Sequence, residues 1–544
     1  MHKPAVALGI ALSAVLVVGV VAAVTTSSGS PDDAGTVQPP AVTAAAVPDG
    51  YQEVDLALLP RDQDALAQLA LIAGTVPPAE RESRRQAALP GAARAAAAGA
   101  QAKALGLTLI STTDTNLVVA GPPDRVDALF GSAPASTSST ATTPETLPKL
   151  PSSLTGLVLV AAATDQPTAT MHPRNHPDGS LSQAELQRVF GVPADQAPPA
   201  DDAPTVATLQ FSDWHPSDLT AYVRTQHIYD DATYDPVAGG GFTAVGIDGG
   251  TSGDFSGAGE VSLDQEAIAT MAPGLRQRAY FVPDSNPMGQ ADALNQVARD
   301  AASQRILTVS TSYGSCEADS YTGPNDPLLT VDRNAINNVL AAGVTFFAPS
   351  GDDGAVDCKD THPHQDTVDS PASFPNVVAV GGTTVHTDGR TTTQTGWSGS
   401  GGGYSRLFPR PSYQDGAVGR AQRGVPDIAM DADDSTGLEQ YDSTPTSDDG
   451  CAGSCVGSPV GGTSLAAPLA AAALAATLAA QGATAGVGDI HAALYAAPTG
   501  VFTDVLTGHN GGFAAGPGWD PMTGLGAPSW SAFVASLTSR PRGS

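Results

Sequence analysis

One segment near the C-terminus constrains the fold more than any other. Residues 465–480, LAAPLAAAALAATLAA, are apolar on nearly every face of a helix. A helix of this kind is buried on all sides, so the chain must build a large core around it. Pro468 is expected in its first turn, where a missing N–H costs little. With 544 residues, the chain is long enough for two or three folding units.

The turn before this helix carries a candidate nucleophile. Its sequence GGTS, residues 461–464, resembles the nucleophile segment of subtilisin-type serine peptidases. Ser464 would lie at the positive end of the helix dipole, where negative charge on a substrate carbonyl is stabilised. The alternative is a plain helix N-cap. Subtilisins use a histidine followed by Gly-Thr as the base, and none of the ten histidines here precedes a glycine. A histidine-dependent mechanism is therefore disfavoured.

A pair of carboxylates supplies a different candidate base. Glu260 and Asp264 are four residues apart in GAGEVSLDQEAIATMAP, residues 257–273, and so share one face of a predicted helix. Two like charges there repel each other, and a shared proton removes the repulsion. One carboxylate can then accept a proton from a serine while the other orients it. The alternative is an exposed acidic helix face, and Glu266, on another face, is predicted to be a solvated charge.

Two further acidic segments are candidates, one for an oxyanion donor and one for a metal site. A predicted strand, 344–348, runs into the turn SGDDG, where a buried and protonated Asp352 could donate a hydrogen bond to an oxyanion. The alternative is a turn residue that caps its own backbone. Near the C-terminus, Asp504 and Asp520 bracket a glycine-rich loop, and two carboxylates with several carbonyls suit Ca²⁺. A plain glycine-rich loop is the alternative there.

Charge and cysteine content indicate the compartment and the partners. The chain has 25 Lys and Arg against 55 Asp and Glu, a net charge of −30 that disfavours nucleic acid and anionic membranes and tolerates an acidic medium. The uncharged run 4–24 indicates a secretory signal or a retained membrane anchor. In an exported chain the four cysteines favour disulfides, and of three possible pairings we favour Cys451–Cys455 with Cys316–Cys358. A zinc site is the weaker alternative.

The order of predicted elements gives the fold class. Residues 51–130 show strand, helix, strand, strand and helix, the order of a split βαβ sandwich. From about residue 204, short buried strands alternate with helices, which predicts a parallel α/β sheet. Active sites of such sheets lie at the carboxyl ends of the strands.

Taken together and in this order, the motifs resemble the sedolisin family of serine-carboxyl peptidases, and within it the kumamolisin-like members with an activation domain. The matching motifs are E-x-x-x-D at 260–264, S-G-D at 350–352, G-T-S-x-x-x-P at 462–468, and D-[VI] followed by G-x-G-x-D at 504–505 and 516–520. One departure is Tyr313, where the family's S-x-S-W-G motif has tryptophan. This tyrosine affects the detail of the hydrogen bonding expected around the carboxylates of the site, not the expected chemistry.

The resemblance implies a role for each of these residues. Glu260 would take the proton of Ser464, Asp264 would hold Glu260, and Asp352 would stabilise the oxyanion. One structural Ca²⁺ would be held by the loop residues, namely Asp504, Val505, Gly516, Gly518 and Asp520.

The resemblance also implies an architecture and an activity. The expected fold is a subtilisin-like α/β parallel sheet flanked by helices, preceded by a smaller ferredoxin-like α+β domain. Residues 1–30 would be the signal or anchor, 48–165 an inhibitory activation domain, and 177–540 the peptidase domain. The expected function is a secreted, monomeric acid endopeptidase acting on proteins or peptides, made as a self-processing zymogen that acidification releases. A tripeptidyl-type aminopeptidase and a non-catalytic surface homologue are the alternatives.

Overall fold

The computed structural model describes residues 47–131, 149–163, 180–251, 253–283, 287–359, 367–387, 390–444 and 455–539. All of them belong to one unit of the chain, Val42–Ser544. The segment 4–24, predicted to be a signal or anchor, lies outside the described residues.

Residues 47–131 and 149–163, called the N-terminal module below, form a four-stranded antiparallel sheet with helices. Its elements are β1 Gln52–Leu58, α1 Gln63–Ile72, α2 Pro78–Ala88, α3 Gly91–Ala104, β2 Thr108–Thr112, β3 Asn116–Gly121, α4 Pro123–Phe130 and β4 Val158–Ala163. The strand order β2-β3-β1-β4 is that of the ferredoxin-like sandwich expected from the sequence. The sequence prediction did not include α2, whose PAERESRRQAA is mostly polar, or β4.

The larger part of the chain alternates helices with short strands. Its elements are α5 Gln183–Val189, β5 Thr205–Gln210, α6 Pro216–Thr225, β6 Phe242–Gly246, α7 Ala258–Met271, β7 Arg276–Phe281, α8 Pro287–Asp300, β8 Ile306–Thr311, β9 Ser315–Cys316, α9 Glu317–Ser320, α10 Pro327–Ala341, β10 Thr345–Pro349, β11 Asp369–Ser370, β12 Val378–Thr387, β13 Thr392–Gly396, β14 Gly403–Pro409, β15 Gln422–Val425, β16 Ile428–Asp431, β17 Leu438–Asp442, β18 Cys455–Val460, α11 Thr463–Ala480, α12 His491–Leu494, β19 Phe502–Thr503, β20 Ala527–Pro528 and α13 Trp530–Ser539.

The central sheet is mostly parallel, as predicted. Its eight strands run in the order β13-β12-β10-β8-β5-β7-β6, with β16 also paired to β12. Every pair is parallel except β12 with β13. Because β10, β8 and β5 are neighbours and parallel, the residues that follow them meet at one edge of the sheet.

Both faces of this sheet are covered. Phe346 and Ala348 of β10 join one hydrophobic cluster with residues of α8 and α10, whereas Phe347 joins another with residues of α7 and α11. This alternation is what a parallel sheet buried on two sides requires. Helix α11 is long and apolar enough to span a membrane, but here it is largely buried in the protein core.

The N-terminal module packs against α8 and α10. Leu66 and Leu69 of α1 and Val160 of β4 belong to the same hydrophobic cluster as the buried faces of α8 and α10. Polar contacts join the two parts as well: the Arg85 guanidinium donates to the side-chain oxygen of Asn338 at 2.8 Å. The contact is thus a continuous apolar interface with buried polar groups inside it.

A disulfide joins Cys316, at the end of β9, to Cys358, and confirms this predicted pair. The residues are 42 apart in sequence. In the chain-entropy model, closing a loop of that length stabilises the fold by about 4 kcal/mol. The companion pair Cys451–Cys455 stays a prediction, because Cys451 lies outside the described residues.

Candidate active site

The turn that carries Ser464 connects β18 to α11. Gly462 has a φ of 93°, a conformation that a side chain would strain, and its N–H donates to the carbonyl of Ala432. A Cβ at Gly462 would also lie 2.7 Å from a carboxyl oxygen of Asp352. Helix α11 begins at Thr463, so Ser464 lies in its first turn, fully buried. Pro468 is the sixth residue of the helix rather than a first-turn residue as expected.

Asp352 is hydrogen-bonded to this turn. It follows β10, and one of its carboxyl oxygens, Oδ1, accepts hydrogen bonds from the main-chain N–H and the hydroxyl of Thr463, each at 2.7 Å. The preceding Gly351 donates its N–H to the same hydroxyl at 3.2 Å. The structure therefore places the predicted oxyanion donor directly beside the residue before the nucleophile.

Glu260 and Asp264 lie one turn apart on α7, which packs against α11. Both are buried, with exposed fractions of 3% and 0%. The Asp264 carboxyl is 2.5 Å from the Ser312 hydroxyl and accepts a hydrogen bond from the Gln210 amide at 2.7 Å. Burial raises the pKa of Asp264 to about 7, although both hydrogen bonds act in the opposite direction.

A hydrogen-bonded path joins Asp264 to the nucleophile. The Ser312 hydroxyl, 2.5 Å from Asp264, is also 2.9 Å from the main-chain carbonyl of Ser464. In return, the Ser464 hydroxyl donates to the main-chain carbonyl of Ser312 at 3.3 Å. The structure thus brings together the ends of β5, β8 and β10, the buried helix α7 and the start of α11. This is a constellation that can activate a serine and stabilise an oxyanion.

The prediction for Glu266 is wrong. Its side chain is fully buried, and its carboxylate accepts a hydrogen bond from the Tyr441 N–H at 3.1 Å. Burial raises its pKa well above the usual value. All residues of α7 are buried, so the helix has no solvated face on which Glu266 could lie.

Comparisons with known proteins agree with this geometry. A family model described as the subtilase family matches residues 241–497. Kumamolisin of Bacillus sp. (strain MN-32) is 32% identical over 52% of this chain and 52% of its own length. Tripeptidyl-peptidase 1 of Bos taurus is 27% identical over 51% of each chain. The chain thus spans about half the length of these curated relatives.

A solved structure is similar to a larger part of the chain than these relatives are. Pseudomonas sedolisin, described as a serine-carboxyl proteinase complexed with two molecules of pseudo-iodotyrostatin, matches with a TM-score of 0.54 and 28% identity. The match covers 67% of this chain and 99% of that one. The chain is thus similar to sedolisins both in sequence and in fold.

Several residues of this site have no role predicted from the sequence. Gln210 ends β5 and Ser312 follows β8, positions that the carboxyl-end rule for parallel sheets could have indicated. Two more carboxyls, the half-buried Asp357 and the buried Asp369, lie near Asp352. Burial is the main cause that raises the pKa of both, to about 8 for Asp369, and the negative charge of Asp352 adds to it. Nothing in their spacing pointed to this cluster.

In the C-terminal loop, each of the two predicted carboxylates accepts a main-chain hydrogen bond. Asp504, which is exposed, accepts a hydrogen bond from the N–H of Gly518 at 2.9 Å. Asp520 is buried and accepts one from the N–H of Gly516 at 3.1 Å. Val505 is buried beside them. The donor set is entirely oxygen, two carboxylates and main-chain carbonyls, and by its chemistry it fits Ca²⁺.

This loop does not carry a dense cluster of side-chain ligands. Across the part of the chain that the structure describes, no group of three or more His, Cys, Asp or Glu could hold a metal ion. Main-chain carbonyls would therefore have to supply much of the coordination.

Proposed function

We propose that this sedolisin-like protein hydrolyses peptide bonds in acid through an acyl-enzyme on Ser464. The observation that carries the proposal is the buried path Asp264–Ser312–Ser464, with Asp352 bound to Thr463 beside it. A catalytic serine needs a base, a group that holds the base and an oxyanion donor. Carboxyl groups supply all three functions here, which explains the missing histidine.

Each carboxyl group has a proposed role. Glu260 accepts the hydroxyl proton of Ser464 as its oxygen attacks the substrate carbonyl, and Asp264, one turn away, orients Glu260. Asp352, carrying its own proton, donates a hydrogen bond to the oxyanion, together with the N-terminal end of α11. Glu260 then gives its proton to the leaving amine. A water molecule releases the acyl group by the same steps in reverse.

Two modes of cleavage are compatible with this chemistry. We favour an endopeptidase. The tripeptidyl mode is the second candidate because the relatives include a protein named tripeptidyl-peptidase 1. A long peptide with a blocked N-terminus separates the two, since an endopeptidase cuts it and an enzyme that counts from a free N-terminus does not.

The N-terminal module is proposed to be an inhibitory activation domain of an exported zymogen. Its interface with α8 and α10 supports this role, because the contact is apolar and buried as stable docking requires. The Cys316–Cys358 disulfide and the net charge of −30 support export to an oxidising and acidic medium.

We also propose that the C-terminal loop binds one Ca²⁺ through the carboxylates of Asp504 and Asp520 and the carbonyls of Val505, Gly516 and Gly518. A bound Ca²⁺ would tie the two ends of this loop together and stabilise the fold. The proposal rests on the donor chemistry of the loop and on the hydrogen bonds that bring both carboxylates to it.

The test is turnover of a quenched peptide at acid pH. Wild type should cleave it, whereas Ser464→Ala and Glu260→Gln should lose nearly all activity. Glu80→Gln, an exposed change on α2, serves as the matched control for removing a glutamate charge. Full activity of Glu260→Gln would overturn the assignment of the base.

A further inference from the structure

The main-chain carbonyl of Ser464 lacks its usual helical partner. In an α-helix the carbonyl of residue i accepts a hydrogen bond from the N–H of residue i+4. For Ser464 that residue is Pro468, which has no N–H. Buried carbonyls are nearly always hydrogen-bonded, so another donor must take this place. The Ser312 hydroxyl, at 2.9 Å, is the donor.

The same hydroxyl contacts a second acceptor. Ser312 Oγ lies 2.5 Å from Asp264 Oδ1, but a hydroxyl has a single proton to donate. Both contacts are hydrogen bonds when Asp264 is protonated on Oδ1: the carboxylic acid donates to Ser312, and Ser312 donates to Ser464. The Gln210 amide donates to the other carboxyl oxygen, which assigns Oδ2 as the C=O of that acid.

We propose that Ser312 is a positioning residue that holds the main chain of the nucleophile only while Asp264 carries a proton. When Asp264 ionises, the Ser312 hydroxyl turns to the carboxylate, because a hydrogen bond to a charged acceptor is the stronger one. The carbonyl of Ser464 then loses its donor. The start of α11, and with it the Ser464 hydroxyl, is no longer fixed.

The side chains around Asp264 determine the pH at which it ionises. Gln210 and Ser312 contact it from the neighbouring strands, and both side chains are uncharged. Glu260 is the ionisable neighbour on α7 itself. Burial raises the pKa of Asp264 to about 7, so the nucleophile is held in acid and released towards neutral pH. This inference rests on the proposed function and adds a second reason for an acid optimum.

The first test is a double-mutant cycle with Pro468. Ser312→Ala should lower kcat about 10-fold at the acid optimum with little change in KM, because a buried carbonyl loses its partner. Pro468→Ala gives that carbonyl a helical N–H donor, so in this background Ser312→Ala should cost less than about 3-fold. Equal losses in the two backgrounds would overturn the proposal.

Ser310→Ala is the matched control. Ser310 lies two residues earlier on β8 and is equally buried, and its hydroxyl has no hydrogen-bond partner among the described residues. Its removal should leave kcat and the pH profile nearly unchanged. A loss as large as that of Ser312→Ala would mean that packing along β8, rather than the hydroxyl, explains the effect.

A spectroscopic test remains informative even if the protein has no peptidase activity. In the full-length Ser464→Ala chain, which keeps the carbonyl, difference infrared spectra should show a protonated carboxyl band that Asp264→Asn removes. Adding Pro468→Ala frees the Ser312 proton for the carboxylate, so the pH midpoint of this band should fall by roughly one unit. With Ser312→Ala also present the midpoint should not respond to Pro468→Ala. A response of the same size there would overturn the proposal independently of activity.

Discussion

Thr463 places both its main-chain N–H and its hydroxyl 2.7 Å from the same carboxyl oxygen of Asp352. The proposed oxyanion donor and the proposed nucleophile are thus parts of one hydrogen-bonded turn. Because Oδ1 is the acceptor for Thr463, Oδ2 is the oxygen that would carry the proton toward an oxyanion. A Cβ at Gly462 would lie 2.7 Å from Oδ2, which explains the glycine there.

This arrangement gives the first prediction, which concerns Asp352. Asp352→Ala should lose on the order of 100- to 1,000-fold in turnover, the usual cost of one oxyanion donor. Asp352→Asn keeps an acceptor for Thr463 and a donor that does not ionise. It should lose much of its rate at the optimum because the geometry differs, while the alkaline limb of its pH profile moves upward.

Turnover of a quenched peptide from acid to neutral pH measures both variants. Asp353→Asn is the control, since Asp353 pairs with Lys359 and its removal changes the charge of the turn without removing the proposed donor. If Asp352→Ala retained full activity, or if the wild-type optimum lay above neutrality, the role of Asp352 would be wrong.

Much of the site could be predicted because its chemistry is carried by local spacing. The pair Glu260 and Asp264 follows from helical periodicity, and Ser464 and Asp352 from short glycine-rich turns. Ser312 and Gln210 could not be assigned roles, because their partners are 48 and 54 residues away in sequence and meet them only through the parallel sheet. The role proposed for Ser312 also depends on Pro468, whose effect requires knowing where α11 begins.

The errors in the fold have a common physical cause. A charged residue in a sequence favours solvent exposure, and on this ground Glu266 is predicted to lie on a solvated face. In the structure, the main-chain N–H of Tyr441 in β17 satisfies its carboxylate inside the protein. Helix α2 was missed for the same reason: Arg85 is buried against Asn338 although the helix sequence is highly charged. Burial of a charged residue depends on a distant partner, which local patterns do not reveal.

The second prediction concerns the C-terminal loop. If Asp504 and Asp520 bind Ca²⁺, then added Ca²⁺ should raise the melting temperature and EDTA should lower it. At a Ca²⁺ concentration a hundred times Kd, the stabilisation is about 2.7 kcal/mol. Asp504→Ala and Asp520→Ala should lose most of this response, whereas Asp201→Ala, at an exposed position, should keep it. A wild-type melting temperature that does not change in EDTA would contradict the proposed site.

The third prediction concerns a buried histidine. His491 is fully buried, and its two ring nitrogens face acceptors: Nδ1 lies 2.6 Å from Asp489, and Nε2 lies 3.2 Å from Asp427. Burial alone would lower the pKa of His491, but the two carboxylates outweigh it and raise the pKa to about 9. The unfolded value is about 6.5. The stabilisation from His491 is therefore complete below pH 6.5 and is lost as the pH rises through about 9.

His491→Gln should destabilise the protein by roughly 3 kcal/mol at pH 5, as expected when one partner of a buried ion pair is removed. The difference from wild type should shrink above pH 9, where wild-type His491 has lost its charge. Urea unfolding across this range gives the measurement, with the exposed His386→Gln as control. A difference that does not change with pH would show that His491 contributes through packing rather than charge.

The last prediction concerns a carboxyl pair between the N-terminal module and the rest of the chain. Asp55 of β1 and Asp292 of α8 are each 6% exposed and are hydrogen-bonded to each other, which requires a proton. Asn116 also donates to Asp55 at 3.3 Å, and Asp248, Glu53 and Arg299 are the charged groups nearby. Burial is the main cause that raises the pKa of both acids, and for Asp292 the charge of Asp55 adds to it.

The pH dependence of this carboxyl pair is opposite to the one needed for release of the module in acid. A raised folded-state pKa gives stability that is complete below the unfolded value of about 3.9 and is lost as the pH rises. This contact therefore favours docking of the module in acid. If acid releases the module, other contacts must cause the release. The Arg299–Asp114 ion pair at 3.0 Å also joins the module to α8. That pair is partly exposed, so its contribution is small, about 1 kcal/mol or less.

Hydrogen exchange of the β1 amides in full-length Ser464→Ala, compared between pH 4 and pH 8 after correction for the intrinsic exchange rate, tests this sign. In the parent chain the stability of the docked module should fall between these pH values. Asp292→Asn keeps a hydrogen-bonding partner for Asp55 but removes the second acid, so the fall should become smaller. Asp114→Asn is the matched control, because it removes the ion pair with Arg299 and leaves the carboxyl pair in place. Docking that strengthens with pH in the parent and is unaffected by Asp292→Asn would show that the carboxyl pair does not control the interface.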